Sequence, residues 1–234
     1  MNIKQIIIVG GGASIKEGIE KGLWEKLKDK FVIGINFSYK YHTNPTIQCY
    51  LDKQVRDEHE QDFNNLALII TKKQPIKNRE NEIQIETQNT YDRTLATGIY
   101  KGSLTGIYAL SLAIYLLGEG EIFLLGYDYG TPAGKDAINR DITHFYQGEL
   151  EHRGVGKVSY YNNKNRADMD FGVYKEEKKV KIYNVSLNSK INTFDKISYD
   201  EFFTKLDKET LTQPELRQYL IANKLFPLFK NLSK

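Results

Sequence analysis

The stretch "QIIIVGGGASIKEG" (residues 5–18) constrains the chain most. A run of branched apolar residues suits a strand buried on both faces. It breaks into three glycines, and Ser14-Ile15-Lys16-Glu17 follows with the S-x-x-E form of a capping box, which places a helix N-terminus at Ser14. Ile15, Ile19, Leu23 and Leu27 recur four apart and predict one apolar stripe on that helix. A strand, a glycine turn and a helix start form the opening unit of a parallel α/β sheet. They also turn backbone N–H groups toward an anion. A tight turn that holds no ligand accounts for the same residues.

The rest of the chain continues the alternation. "FVIGINF" (31–37), "IQCYL" (47–51) and "LALII" (66–70) read as strands, with a charged helix over 53–65. "LTGIYALSLAIYLLG" (104–118) is apolar on nearly every side, as a buried helix is, and Gly118 ends it. "EIFLLG" (121–126) and "VKIYNV" (180–185) are further buried strands, and amphipathic helices at 198–206 and 213–230 follow. The segment 72–102 reads as irregular surface or a short edge hairpin. Residues 127–179 show little apolar periodicity and no clear strand, which is the character of a functional lid or of a partly disordered loop. Strands alternating with helices predict an α/β protein with a mostly parallel sheet covered on both faces.

Bulk properties exclude several classes. With 234 residues, 40% hydrophobic and 27% charged, the chain has the composition of an ordinary globular protein. A net charge of +3 is too weak to indicate nucleic acid, and the pairs Lys72-Lys73 and Lys178-Lys179 read as solvated surface. Cys49 is the single cysteine, so neither a disulfide framework nor a cysteine metal site is expected. No signal peptide and no membrane span are read, and the expected location is cytoplasmic. The richness in Lys, Asn, Ile and Tyr hints at an AT-rich bacterial or phage genome.

The candidate site residues cluster at predicted strand ends. Gly10, Gly11 and Gly12 lack the third glycine of a dinucleotide fingerprint, since Ile15 stands there, and no G-K-[ST] follows as in a P-loop. Asn36 ends the second strand where a ribose-binding acid would stand, so NAD is disfavoured. Its amide can donate to or accept from a base or ribose, or simply serve the turn. Asp52 ends the third strand in the same way. Thr105 fits a helix cap, and Gly106 allows close approach of a ligand or of another chain segment. Asp128, in "LLGYDYG" (124–130), lies just beyond a strand, where open parallel sheets bind ligands; accepting backbone hydrogen bonds in a turn is its alternative role. His144, in "THFY" (143–146), follows by a short excursion that can fold back over the strand ends. His42, His59 and His152 are taken as surface.

Taken in order, "GGGASIKE", "GINFSYKYH", "LTGIYALSLAIYLLGEGEIFLLGYDYG", "THFYQG" and "KIYNVSLNS" resemble the bacterial sialyltransferases that use CMP-sialic acid. They also resemble the related Rossmann-like proteins, among them hydroxymethylpterin diphosphokinases and uncharacterised phage proteins. The resemblance covers most of the chain to about residue 195. It implies a Rossmann-like (GT-A-type) nucleotide-binding domain over 1–195 with a lid at about 127–179, and a C-terminal helical segment, 196–234, packed on it. By motif, Gly10, Gly11, Gly12, Ser14, Asn36, Asp52, Thr105, Gly106 and Tyr127 would hold a nucleotide or nucleotide-sugar of CMP type. His144 would be the general base that deprotonates an acceptor hydroxyl, with Asp128 beside it in the catalytic set and no metal required. The family turn is G-N-G-P-S, and here Gly11 and Ala13 replace its Asn and Pro. The leaving-group Tyr that follows the strand Asp in that family is Gly130 here, so sialic acid as donor does not follow.

Three functions stand at this stage. The first is a metal-independent glycosyltransferase. The second is a diphosphokinase-like phosphoryl transferase, with Mg²⁺ on Asp52, Asp128 and Asp136 or Asp141. The third is a nucleotide-binding or sequestering protein without turnover. Leu216, Leu220, Leu225, Phe226 and Phe229 near the C-terminus fit core packing, with homo-oligomerisation as the alternative.

Overall fold

A computed structural model describes residues 3–42, 44–52, 55, 57, 61–63, 66, 68–71, 81–91, 99–102, 104–129, 144–146 and 166–225. The strands are β1 (Gln5–Val9), β2 (Val32–Ile35), β3 (Ile47–Tyr50), β4 (Ile69–Thr71), β5 (Glu82–Gln84), β6 (Thr87–Gln88), β7 (Ile99–Tyr100), β8 (Gly120–Leu125), β9 (Val180–Asn184) and β10 (Asp195–Lys196). Eight of them form one sheet in the order β10-β9-β8-β1-β2-β3-β4-β5, with every neighbouring pair parallel. The protein is a mostly parallel α/β fold.

The central strands are apolar throughout because both of their faces are buried. In β1, Ile6 and Ile8 face one core cluster while Ile7 and Val9 face the other. In β8, Ile122 and Leu124 oppose Phe123 and Leu125 in the same period-two manner. The first cluster is covered by the helix Thr105–Leu117, whose Ile107, Tyr108, Leu110, Leu112 and Ala113 are fully buried. Gly118, at φ 72°, ends that helix. The second cluster holds Ile15, Leu23 and Leu27 together with Tyr199 and Phe202 from the helix Tyr199–Lys205.

The connectivity places a crevice. From β1 the chain runs outward through β2, β3, β4 and β5, then returns by the helix Thr105–Leu117 to β8 on the other side of β1. The strand order reverses between β1 and β8, and open α/β sheets bind ligands outside the carboxyl ends of such a pair. The glycine turn leaves β1 there, and residues 126–129 leave β8 there.

Several expectations need correction. The helix predicted from Ser14 is two helices, α1 (Ile15–Glu20) and α2 (Leu23–Leu27), joined through Gly22 at φ 78°. Ile19 is 38% exposed, so the apolar stripe is interrupted. The segment 72–102 carries no antiparallel hairpin among its described residues: β5 extends the main sheet in parallel, and β6 and β7 pair in parallel with each other. Within 127–179, a helix spans Arg166–Phe171 and a 3-10 turn spans Gly172–Tyr174. At the C-terminus, the helix Gln213–Leu220 runs into a π turn, Ile221–Leu225, and Leu216, Leu220 and Leu225 are buried in the core. Phe226 and Phe229 lie outside the described residues. Among the described residues, no helix is long and apolar enough to cross a membrane.

Candidate functional site

The glycine turn is fastened to the end of β8. The Gly10 N–H donates to the Leu125 carbonyl at 2.8 Å, and the Gly12 N–H donates to the Gly126 carbonyl at 2.9 Å. None of the three glycines has a positive φ, so close approach is what requires them. A Cβ on Gly12 would lie 2.5 Å from the Gly126 carbonyl oxygen and 2.6 Å from Asp128 Oδ2. A Cβ on Gly11 would lie 2.9 Å from Tyr146 Oη and 3.0 Å from His144 Cδ2. The turn is therefore clamped on one side by the β8 loop and on the other by residues 144–146.

Asp128 is the centre of the first clamp. It is 4% exposed, and its carboxylate accepts from the Ser14 N–H at 2.7 Å and from the Ser14 hydroxyl at 2.5 Å. The start of α1 thus takes its negative partner from a residue far along the chain, which suits the positive end of a helix. The capping box predicted at Ser14 does not form: Ser14 itself has helical dihedrals (φ −59°, ψ −19°), its side chain makes no cap bond, and its N–H is directed to Asp128 and not to Glu17. Glu17 instead pairs with Lys21 at 3.2 Å. Tyr199 packs beneath, its ring against Gly18. Burial first, then the nearby Asp128 and Glu17 carboxylates, push its hydroxyl far above the ordinary phenol range.

His144 belongs to the second clamp. It forms an isolated antiparallel bridge with Gly12, and the Phe145 N–H donates to the Gly11 carbonyl at 3.0 Å. Its ring lies 5.2 Å from that of Tyr146. The structure thus brings together Gly10, Gly11, Gly12, Ser14, Asp128 and His144, which come from three separate parts of the sequence.

The other candidates surround this centre. Asn36 stands at φ 51°, its N–H donating to the Cys49 carbonyl at 3.0 Å and its carbonyl accepting from Gln48 Nε2 at 2.9 Å. Among the described residues, its buried Oδ1 has no partner, nor have Ser38 Oγ and Gln48 Oε1, which crowd against Gly34. Asp52 is exposed beyond β3. Thr105 is the first residue of its helix and Leu104 occupies the cap, with no side-chain cap bond, so capping is not the role of Thr105. Gly106 admits the Tyr127 ring, whose hydroxyl donates to the Gly106 carbonyl at 2.9 Å. The close approach at Gly106 is thus made by another chain segment. Tyr127 is 6% exposed and lies in the core. Asp136 and Asp141 lie outside the described residues. Among those described, no group of three or more His, Cys, Asp or Glu is placed to hold a metal.

His42 is buried, contrary to the surface position expected. It is 6% exposed, and its ring stacks on Trp24 at 6.1 Å. Burial lowers its pKa from 6.5 to about 4. Between those values the unfolded chain binds a proton that the folded chain does not, so stability falls as pH drops from 6.5 toward 4. His42→Phe is expected to flatten the urea-unfolding free energy across that window; an unchanged slope would show that His42 takes up its proton without penalty. His59 and His152 lie outside the described residues.

The aromatic residues around 144–146 were missed as part of the site. Tyr146 brings a hydroxyl to Gly11, and Phe145 packs on Trp24 and Tyr41. The signal was the density of rings in "NFSYKYH" and "THFY".

No family model and no curated protein matches the chain, so neither the sialyltransferase nor the diphosphokinase family is matched. Among solved structures, it is similar to the MAf glycosyltransferase from Magnetospirillum magneticum AMB-1, at 14% identity with a TM-score of 0.55. The likeness shows the fold. It takes in 98% of this chain and 38% of that one, so this chain spans well under half of the larger protein. The eight-stranded parallel sheet with its helices is consistent with a Rossmann-like glycosyltransferase fold.

Proposed function

We propose that the crevice between β1 and β8 binds a nucleotide-sugar and that the chain transfers the sugar to a hydroxyl acceptor, with His144 as the base. The observation that carries this reading is the backbone bridge between Gly12 and His144. It sets an imidazole on the glycine turn at the switch point of the sheet, where the fold binds ligands. The glycosyltransferase fold and the motif resemblance support the same reading.

In this reading, His144 takes the proton of the acceptor hydroxyl as the acceptor oxygen bonds to the anomeric carbon. The bond from that carbon to the phosphate oxygen breaks, and its electron pair leaves with the nucleotide. An imidazole suits the proton transfer because its ordinary pKa lies near neutral pH, and the step needs no metal. In this reading the Tyr146 hydroxyl, which lies beside Gly11, would donate to the departing phosphate oxygen. It would stand in for the tyrosine that the resembling sialyltransferases carry after the strand Asp. Asn36 and the turn would hold a nucleotide, with CMP favoured by the resemblance.

The test is release of free nucleotide from a panel of CMP-, UDP- and GDP-sugars, in EDTA, with simple sugars as acceptors. Release from at least one donor is expected. Tight binding without release would assign a sequestering role. Release of AMP from ATP that depends strictly on Mg²⁺ would assign phosphoryl transfer. Either result overturns the proposal.

A further inference from the structure

Two elements converge on the residues that follow His144. Phe145 lies edge-on to Tyr41 with ring centres 4.8 Å apart, and 6.2 Å from Trp24 of α2. Tyr146 meets the edge of Phe37 at 5.6 Å and stacks on Tyr41 at 6.5 Å. Phe37 and Tyr41 flank the 3-10 turn Ser38–Lys40 that follows β2. Both Phe145 and Tyr146 are 4% exposed, whereas Tyr41 and Trp24 are only half-buried. Such ring pairs favour tilted and edge-to-face geometry, and so fix orientation as well as distance.

An isolated bridge and the bond from the Phe145 N–H to the Gly11 carbonyl join the main chain of residues 144–146 to the turn. An isolated bridge does not set the angle of a side chain, and neighbouring ring contacts do.

We infer that Tyr41 and Trp24, acting through Phe145, form an aromatic clasp that positions His144 over the glycine turn. Both are positioning residues, remote in sequence from His144. The inference rests on the glycosyl-transfer reading of the site. A reacting group displaced by about 1 Å loses on the order of 100-fold in rate. Loosening the clasp should therefore lower kcat and spare the KM for the donor, because the nucleotide-facing turn keeps its own bonds to β8.

Trp24 is the only tryptophan of the chain, and its emission reports on the clasp directly. Tyr41→Ala and Phe145→Leu are made in the full chain. Each should lower kcat about 10- to 100-fold, with donor KM nearly unchanged and with Trp24 more open to acrylamide quenching. Tyr41→Phe, which keeps the ring, should restore both rate and quenching. Wild-type turnover with unaltered kcat in folded Tyr41→Ala and Phe145→Leu overturns the inference alone. Loss of kcat only in proportion to the unfolded fraction also overturns it, by reducing the clasp to a stability element. No release from any donor by the wild-type chain overturns the glycosyl-transfer reading, and the inference with it.

Discussion

Alanine in place of His144 is expected to cut nucleotide release by about 10²- to 10⁴-fold, the usual contribution of a positioned general base. The fold should survive the change. The tie between Gly12 and residue 144 is a backbone bridge, and the anchor of the segment is the packing of Phe145 and Tyr146, which alanine leaves in place. Melting temperature and Trp24 emission should therefore remain close to those of the wild type. His144→Gln, which is polar and cannot take up the acceptor proton, should lose the rate in the same way. Equal release by wild type and His144→Ala would remove His144 from the chemistry, whatever the ligand proves to be.

The sheet centre was legible because β1, β2, β3 and β8 are largely buried on both faces and written as mostly apolar runs. The edges were not. Glu82-Ile83-Gln84 and Asp195-Lys196 are strands because β4 and β9 offer them a partner, and nothing in two or three polar residues announces that. The helix starts make the same point within one motif. Ser14 and Ser198 both begin an S-x-x-E pattern, yet only Ser198 forms the capping box with Glu201. At Ser14 a buried carboxylate from beyond β8 captures the N–H and the hydroxyl, and tertiary structure overrides local preference. His42 reads as a polar residue in a polar stretch until Trp24 is seen to cover it. The candidate site was legible as separate pieces: a glycine turn, a strand-end Asp and a His in a loop. Their convergence depends on the reversal of strand order, which local periodicity does not encode.

Removing the Asp128 carboxylate should be costly. Asp128→Ala takes away the acceptor of the Ser14 N–H and hydroxyl, with Asp128 4% exposed and Ser14 half-buried, for a loss of about 2–4 kcal/mol in urea unfolding. Ser14→Ala removes the hydroxyl bond and leaves the N–H bond, so it should cost less. The two changes share a partner and should not add; a coupling of about 1–2 kcal/mol is expected from the double-mutant cycle. Additive effects would mean that the turn is held by the bonds of Gly10 and Gly12 to the β8 end alone. Asp128 also bears on where a ligand can place its charge. Its carboxylate already occupies the start of α1, so a phosphate beside Ser14 would meet a like charge at close range. On its other side the turn meets His144 and Tyr146, away from Asp128. A leaving phosphate on that side would lie next to the proposed base and the phenol. Asp128→Asn, which removes the charge and keeps the shape, should then weaken folding more than it weakens nucleotide binding. A large gain in nucleotide affinity in that variant would instead place the phosphate at Ser14, in competition with the native carboxylate.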